Sequence, residues 1–284
     1  MRQSDALFCH TRDLSQIIDT VLTQVREKHG AFHLLGVGVS DRPRPVEGSY
    51  MPCFLAGVSA AKAAASLGNA PLRLFSHQEG HVEAARFGAA KEGRSFSDRR
   101  FWAFHLSGGT TEFLRVIQTE SGYETEILAQ ALDLTCGQLI DRCGVKLGLP
   151  FPSGKYLEAL AEKSDKHYKI RIPKKKSGIN LSGFENRFDT LLAQGEAPED
   201  LARFVFDVTE AAVRTLLEFR TEDAPVLFSG GVTGSHLLKD ALASDRHFFA
   251  PPAYTADNAI GTALLCRKGD RNGSTTGADR NGAE

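Results

Sequence analysis

Apolar and polar positions alternate along the chain at two periods, which divide its first part into helices and strands. The three-to-four spacing of a helix appears first at Leu14, Ile17, Ile18, Val21, Leu22 and Val25. The apolar run at 32–39 then predicts a buried strand, and the proline-bearing segment 40–52 predicts a loop. An Ala-rich helix at 54–67, a short strand at 72–75 and a helix from His77 follow. This alternation favours a parallel sheet with helices on its faces.

The middle of the chain changes to closely spaced strands and then to long helices. A meander is predicted from strands at 101–105, 112–118 and 123–128, joined by turns at Gly108-Gly109 and Ser121-Gly122. Helical patterns follow at 134–146 and 201–219, then a strand–turn–helix unit at 225–242 and a last helix from 257 to about 268. The remaining residues lack apolar periodicity, so we expect a disordered tail at 269–284.

Composition narrows the class of protein. The 284 residues include 42% hydrophobic and 24% charged positions, which suits one large globular domain or two lobes sharing a cleft. The net charge of −1 excludes a protein whose whole surface binds nucleic acid, so any basic function must be local. No apolar run is long enough to span a membrane, no signal peptide opens the chain, and the five cysteines lack metal spacing. We therefore predict a cytoplasmic protein with reduced thiols and no membrane partner.

The segment His77-Gln78-Glu79-Gly80-His81 is a candidate metal site. Two imidazoles at i and i+4 lie on one helical face and can chelate one divalent ion. A zinc protease instead needs Glu directly after the first His, and Gln78 stands there. Taken alone, such a pair is more often structural, because histidine commonly finds hydrogen-bond partners in a fold.

Three glycine turns follow predicted strands, at 107–111, 152–154 and 229–232. Glycine lets backbone N–H groups approach phosphate oxygens, and neighbouring hydroxyls add donors. Each turn alone is equally well explained as a tight connection. None matches the phosphate loop of NTPases or the dinucleotide-binding fingerprint, so neither of those sites is indicated.

Two carboxylates stand eight residues apart on the helical segment at 133–141. Asp133 and Asp141 lie close to the same face, where a carboxylate can accept hydrogen bonds from ribose hydroxyls. The alternative is that Asp133 caps the helix and Asp141 is solvated.

The chain has one cluster of basic residues suited to RNA phosphates, although such clusters are usually only a solvated surface. Its members are Lys166, Lys169, Arg171, Lys174, Lys175 and Lys176.

In chain order, these motifs resemble those of the tRNA adenosine threonylcarbamoyltransferase family, formerly called glycoproteases. The matching segments are 77–81, 107–111, 133–141, Gly148-Leu149-Pro150-Phe151-Pro152-Ser153-Gly154, Leu181-Ser182-Gly183-Phe184, 229–232 and Thr255-Ala256-Asp257-Asn258-Ala259. The resemblance extends from His10 to about Gly269.

The resemblance implies an α/β, actin/hexokinase/heat-shock-ATPase-like fold of two lobes, with a truncated N-terminal lobe at 1–100 and a C-terminal lobe at 101–268. It also implies transfer of threonylcarbamoyl from an adenylate donor to adenosine in tRNA. The implied divalent metal, iron or zinc, is held by His77, His81 and Asp257, with Glu79 a candidate for proton transfer. An adenine nucleotide, threonylcarbamoyl-adenylate or ATP-like, contacts His105, Leu106, Ser107, Gly108, Gly109, Asp141, Gly154 and Ser235.

Several positions depart from the family pattern. Its first strand and phosphate turn have no counterpart, and the substituted positions are Thr110, Gln138, Glu185 and Ser235. Gln138 replaces a glutamate, which removes a negative charge while keeping hydrogen bonds. The alternative function is therefore a weak or inactive paralogue that pairs with a true transferase through the Ala-rich helix at 54–67. A metallopeptidase is the least favoured reading.

Overall fold

A computed structural model describes residues 3–255 and 258–273. The chain divides into two compact units that interleave along the sequence. Unit 1 contains the residues up to Ala84, Thr119–Tyr123 and those from Asn258 onward. Of the described residues, unit 2 contains Ala85–Gln118 and 124–255. The predicted lobes at 1–100 and 101–268 stay a prediction.

Unit 1 is built on two parallel strands and the helices packed on them. Its elements are α1 (Gln3–His29), β1 (Val37–Arg42), α2 (Phe54–Leu67), β2 (Leu72–Ser76), the start of α3 (His77–Lys91) and α10 (Ala259–Gly273). β1 pairs with β2 in parallel, as the strand–helix alternation predicts. α10 continues past the end predicted near Lys268, and residues 274–284 of the predicted tail lie outside the described residues.

The prediction of a strand at 32–39 is wrong in its first half. β1 begins only at Val37, and Leu35 is 77% exposed while Phe32 and Leu34 are also exposed. The apolar run therefore joins the sheet only at Val37, whose N–H donates to the Pro71 carbonyl. Hydrophobicity alone does not show where along a run the ladder of hydrogen bonds begins.

Close backbone packing joins α3 and α10 within unit 1. A methyl group built on Gly261 would lie 1.8 Å from the Gly80 carbonyl oxygen and 2.8 Å from the Ala84 nitrogen. A methyl group on Gly80 would lie 2.2 Å from Asn258 Nδ2. Glycine at both positions therefore lets the start of α3 lie directly against α10.

Unit 2 contains a six-stranded sheet in the order β6-β5-β4-β3-β7-β8. Its strands are β3 (Arg100–Leu106), β4 (Thr111–Gln118), β5 (Tyr123–Ala131), β6 (Gly178–Ile179), β7 (Val226–Ser229) and β8 (His247–Phe249). β3 is antiparallel to β4 and parallel to β7, so the predicted meander lies beside a parallel segment. The helical elements are α4 (Cys136–Lys146), α5 (Gly154–Ala161), α6 (Ser182–Ala193), α7 (Pro198–Leu217), the 3-10 helix η1 (Gly231–Gly234), α8 (His236–Ala241) and α9 (Pro252–Thr255).

The core of unit 2 forms between the sheet and α7. Thirteen of the twenty residues of α7 are buried, so its surface is apolar on more than one side. On the sheet, Phe104 stacks on Phe228 with ring centroids 5.1 Å apart, and Phe228 stacks on Phe249 at 4.3 Å. This rigid core positions the glycine turns that follow β3 and β7.

Within the described residues, no helix is long and apolar enough to cross a membrane.

Candidate functional site

The two predicted metal-binding histidines converge at the start of α3. Their Nε2 atoms lie 3.0 Å apart, and their ring centroids are 4.4 Å apart at an interplanar angle of 81°. A Zn–N bond is about 2.0–2.1 Å long, so one ion can reach both nitrogen atoms of such a pair. The side chains of His77 and His81 therefore fit a shared divalent cation.

Asn258, the residue just before α10, fixes the histidine turn. Its Nδ2 donates to the His77 carbonyl oxygen at 2.5 Å, and its Oδ1 accepts from Ser40 Oγ at 3.1 Å. Burial lowers the pKa of His77 below its ordinary value, against an opposing effect of its hydrogen bond with Asn258. The neutral imidazole that results is the form that ligates metals.

The third predicted ligand, Asp257, lies outside the described residues. Among the residues that are described, no group of three or more His, Cys, Asp or Glu side chains gathers as a metal site. The cysteines of α4 offer no thiolate ligand, because burial raises the pKa of Cys136 to about 11 and that of Cys143 to about 12. Two of the three predicted ligands thus fit a metal, and the complete set stays a prediction.

Glu79, the candidate for proton transfer, is buried and engaged by backbone amides. The Ser76 N–H donates to Glu79 Oε2 at 2.7 Å, and the Glu79 N–H donates to Ser76 Oγ at 3.2 Å. This reciprocal pair is a capping box at the start of α3. The second oxygen, Oε1, accepts from the Tyr123 N–H at 3.1 Å. Both oxygens therefore stabilise the backbone, and a role in proton transfer stays a prediction.

A cavity of about 510 Å³ in unit 2 brings together predicted nucleotide contacts from four separate segments. Gly108, Asp141, Gly154 and Ser235 all line it. Its other lining residues, which the sequence analysis did not select as nucleotide contacts, are Gly137, Ile140, Pro152, Lys155, Glu158, Phe206, Gly231, Val232 and Gly234. Five glycines leave backbone groups accessible in the wall, as anion-binding sites require.

The turn after β3 is held against the beginning of α4. The Ser107 N–H donates to the Thr110 carbonyl at 2.8 Å, which closes the hairpin. Thr135 Oγ1 donates to the Gly108 carbonyl at 3.0 Å, and a methyl group on Gly137 would lie 2.4 Å from the Ser107 carbonyl oxygen. Only a glycine at this position allows the helix to approach the turn so closely.

Gln138, which replaces the family's glutamate, caps the same helix. Thr135 is the N-cap residue, its side chain accepts from the Gln138 N–H at 3.1 Å, and Gln138 Oε1 accepts from the Thr135 N–H at 3.1 Å. An amide oxygen accepts this hydrogen bond as a carboxylate does. The replacement therefore preserves the local structure at the wall of the cavity.

Asp141 is positioned by the loop before α5. Its Oδ1 accepts from the Ser153 N–H at 2.8 Å, and Gly154 begins α5 immediately after that loop. Asp133 lies elsewhere: its oxygens accept from the Leu181 N–H at 2.8 Å and from Ser182 Oγ at 2.5 Å. The interpretation of Asp133 as the cap of α4 is wrong, because Thr135 is the cap and Asp133 holds the start of α6. Asp133 does not line the cavity, and its contact with a ribose stays a prediction.

Ser235 and Glu158 form a second polar corner of the cavity. Ser235 Oγ donates to Glu158 Oε1 at 2.6 Å, and the same oxygen accepts from the Leu237 N–H at 3.0 Å. The sequence analysis missed Glu158. Its signal was available, because Glu158 lies one helical turn beyond Gly154 on the same face.

The other predicted contacts of the first glycine turn do not line this cavity. The side chain of Leu106 is buried, and His105 Nδ1 lies 3.4 Å from Ser229 Oγ. Ser107 and Gly109 flank Gly108 in the turn without entering the wall. Contacts of these four residues with a nucleotide stay a prediction.

Comparison with known proteins identifies the family. A family model described as tRNA N6-adenosine threonylcarbamoyltransferase (TsaD) matches residues 8–264. The chain belongs to this family. Relatives of the same description include a protein of Enterococcus faecalis, 31% identical over 90% of this chain and 72% of its own length. One from Methanopyrus kandleri is 26% identical over 88% of this chain and 70% of its own length.

Solved structures agree on the fold. HypF of T. kodakarensis superposes with a TM-score of 0.55 at 17% identity, over 80% of this chain and 40% of that one. Family membership and this likeness confirm the predicted α/β fold of the actin/hexokinase/heat-shock-ATPase class.

Proposed function

We propose that the chain transfers a threonylcarbamoyl group from an adenylate donor to the exocyclic amine of an adenosine in tRNA. Family membership supports the reaction class, since the matched relatives carry the description of that transferase. The observation that carries the proposal is the cavity of unit 2, where Gly108, Asp141, Gly154 and Ser235 line one space. The fold thus brings four segments that are distant in sequence to one space, as a ligand-binding site requires.

The cavity supplies two kinds of contact that an adenylate needs. The Gly108 turn and the glycines of η1 present backbone to the space, which suits phosphate oxygens. Asp141 and Glu158 are acceptors fixed by backbone N–H groups, so they suit the hydroxyls of a ribose. We propose that the donor lies here, with its phosphate at the glycine turns and its ribose at the carboxylates.

The reaction requires orientation more than covalent participation by the protein. The adenosine nitrogen attacks the carbamoyl carbon, the bond from that carbon to the phosphate oxygen breaks, and AMP leaves while the nitrogen loses a proton. Holding the phosphate and ribose fixes the carbamoyl carbon relative to the attacking amine, which lowers the entropic part of the barrier. Backbone N–H groups at the phosphate also stabilise the negative charge that the leaving AMP gains.

We propose that His77, His81 and Asp257 hold one divalent metal, iron or zinc. The fit rests on the convergence of His77 Nε2 and His81 Nε2 at 3.0 Å. A bound ion of this kind supplies Lewis acidity toward a carbonyl oxygen.

The function is tested with purified protein, tRNA transcript and threonylcarbamoyl-adenylate, followed by mass spectrometry of the digested nucleosides. We expect threonylcarbamoyl-adenosine with the wild type and a loss of at least 10-fold for Asp141→Ala. An Asp98→Ala variant, changed at an exposed residue away from the cavity, is the matched control. No modified nucleoside from the wild type, in a preparation that binds AMP and carries metal, would refute the transferase.

Metal content is measured separately by plasma mass spectrometry. We expect near-stoichiometric iron or zinc in the wild type, and loss of that metal in His81→Ala. Metal retained at the wild-type level in this variant would place the ion elsewhere.

A second candidate function is that of a partner subunit for a true transferase. It is favoured by exposed apolar side chains on the first two helices: Phe8 and Val21 on α1, and Leu55 and Leu67 on α2, with Leu67 91% exposed. Contiguous exposed apolar surface marks a site of protein interaction, and these side chains are candidates for one. Expression in a transferase-deficient strain separates the two, because a subunit without activity does not restore the modified nucleoside.

A further inference from the structure

The segment 169–176, which we call the basic arm, carries five cationic side chains and no acidic one. Most charge runs are merely solvated, but this one is anchored along unit 2. Ile172 is buried in the core, and Tyr168 and Ile170 pack against it. The Tyr168 N–H donates to Asp207 Oδ2 at 2.7 Å, and Asp207 is held in turn by Arg203 at 2.8 Å. The arm therefore has a fixed path across the surface.

The far end of the arm is fixed as well. The Lys175 N–H donates to the Gly178 carbonyl at 2.8 Å, so a tight turn returns the chain into β6. Gly178 has φ +150°, and a methyl group there would lie 1.8 Å from the Gln130 carbonyl oxygen, so the turn is locked against β5. Lys174 lies over the Phe219 ring, 4.2 Å from its centroid, and donates to the Glu218 carbonyl.

Four cationic side chains of the basic arm face solvent. Lys169, Arg171, Lys175 and Lys176 are exposed, and no ion pair or hydrogen bond to their side chains occurs within residues 3–255 and 258–273. The neighbouring Lys166 shows the contrast, because it is paired with Glu196 and Asp200. Burial alternates along this stretch: Ile170 and Ile172 pack against the core, whereas Lys169 and Arg171 are exposed.

We propose that the basic arm binds the phosphate backbone of the RNA substrate, with Lys169, Arg171, Lys175 and Lys176 as its contacts. This inference rests on the proposed function for the identity of the RNA. Several exposed cations on an anchored backbone suit a polyanion, and little backbone conformational entropy is lost in binding because the path is already fixed. Because the chain is near neutral, it has no general attraction for RNA, so binding requires a local basic cluster such as the arm.

The test measures affinity for fluorescent tRNA transcript by anisotropy across a potassium chloride series. Changing the four arm cations to Gln should weaken binding and reduce the slope of log K against log salt by up to roughly 3, since each contact with a single strand contributes about 0.7. Changing the same residues to the other basic type (Lys169→Arg, Arg171→Lys, Lys175→Arg, Lys176→Arg) should preserve the slope. A control set at exposed sites elsewhere, Lys28, Lys62, Lys91 and Arg99 to Gln, removes equal charge and should leave the slope unchanged.

AMP affinity is measured on every variant and should stay at the wild-type value, which shows that the Gln set folds. An equal loss of RNA affinity and salt slope in the control set would contradict the proposal, because the net charge of the protein would then explain binding. If the Gln set binds RNA with the wild-type slope of log K against log salt, the role of the arm is contradicted and the proposed function is not. Wild-type protein that binds AMP but no RNA would overturn both the arm and the tRNA acceptor. Arm-dependent binding to phosphatidylserine vesicles without RNA binding would replace RNA with a lipid surface.

Discussion

Replacing Glu79 by Gln distinguishes a structural carboxylate from a catalytic one. In the structure, each oxygen of Glu79 accepts from a different backbone N–H, one of Ser76 and one of Tyr123. A glutamine keeps one oxygen, so its NH₂ group must face one of these two donors. The variant thus leaves one buried backbone N–H without its side-chain acceptor, and it places the glutamine NH₂ group, a second donor, against that N–H.

The size of the effect follows from the contacts. A lost cap costs about 1 kcal/mol, and a buried donor left without an acceptor costs about 1–3 kcal/mol. Because glutamine retains one of the two bonds, we expect a loss of about 2 kcal/mol in the free energy of unfolding. In urea, this is a midpoint lower by about 0.7 M for an m-value near 3 kcal/mol/M.

Equilibrium urea unfolding by circular dichroism measures this loss, with Glu120→Gln as control. Glu120 is exposed, so the control removes the same charge with a change within about 0.5 kcal/mol. Transfer activity is assayed below the unfolding transition, where we expect both variants to be active. A Glu79→Gln protein as stable as the control but 100-fold slower would refute the capping interpretation and favour proton transfer.

Three further changes test the packing and capping of the two units. Gly261→Ala forces a methyl group against the Gly80 carbonyl and should lower the free energy of unfolding, measured in urea, by roughly 3 kcal/mol or more. In the control Gly183→Ala, the added methyl group meets no atom within 4 Å, so the protein should keep its stability. Thr135→Val should lower the free energy of unfolding by about 1–2 kcal/mol. Gln138→Glu should change it by no more than about 0.5 kcal/mol, because the glutamate side chain still accepts from the Thr135 N–H. Equal losses in the two variants would contradict the capping box. Burial acts to raise the pKa of Asp133, but hydrogen bonds from Ser182, Leu181 and Leu134 lower it overall, so its stabilisation is present above about pH 4 and disappears below. Asp133→Asn should therefore cost about 1–2 kcal/mol at pH 7 and progressively less as the pH falls below 4, and a pH-independent difference would contradict this.

Local patterns predicted most elements because they depend on neighbouring residues. The Ala-rich helix begins and ends at the predicted residues, Phe54 and Leu67. The capping role of Glu79 was also readable, since Ser76 and Glu79 have the spacing of a capping box. Its bond to the Tyr123 N–H was not, because that contact joins residues 44 positions apart.

Long-range contacts explain the other differences. Asp133 reaches the Leu181 and Ser182 amides across almost fifty residues, which no local pattern indicates. The strand at 32–39 failed because pairing with β2, rather than apolar content, determines where β1 begins. The motif series named four residues as nucleotide contacts, which stays a prediction, and only the fold shows that they share a cavity.

The positions that depart from the family pattern bear on the choice between transferase and partner subunit. Gln138 performs a capping task that needs an acceptor and no charge. Glu185, where the family pattern has Lys, is paired with Arg142 at 3.1 Å and with Lys146 at 3.0 Å, so it joins α6 to α4. Both of these substitutions thus have a structural explanation, one of them beside the wall of the cavity. The wall of the cavity also presents Asp141 and Glu158 on fixed backbone donors. These two substitutions therefore do not by themselves argue for an inactive subunit, and the transfer assay decides between the two functions.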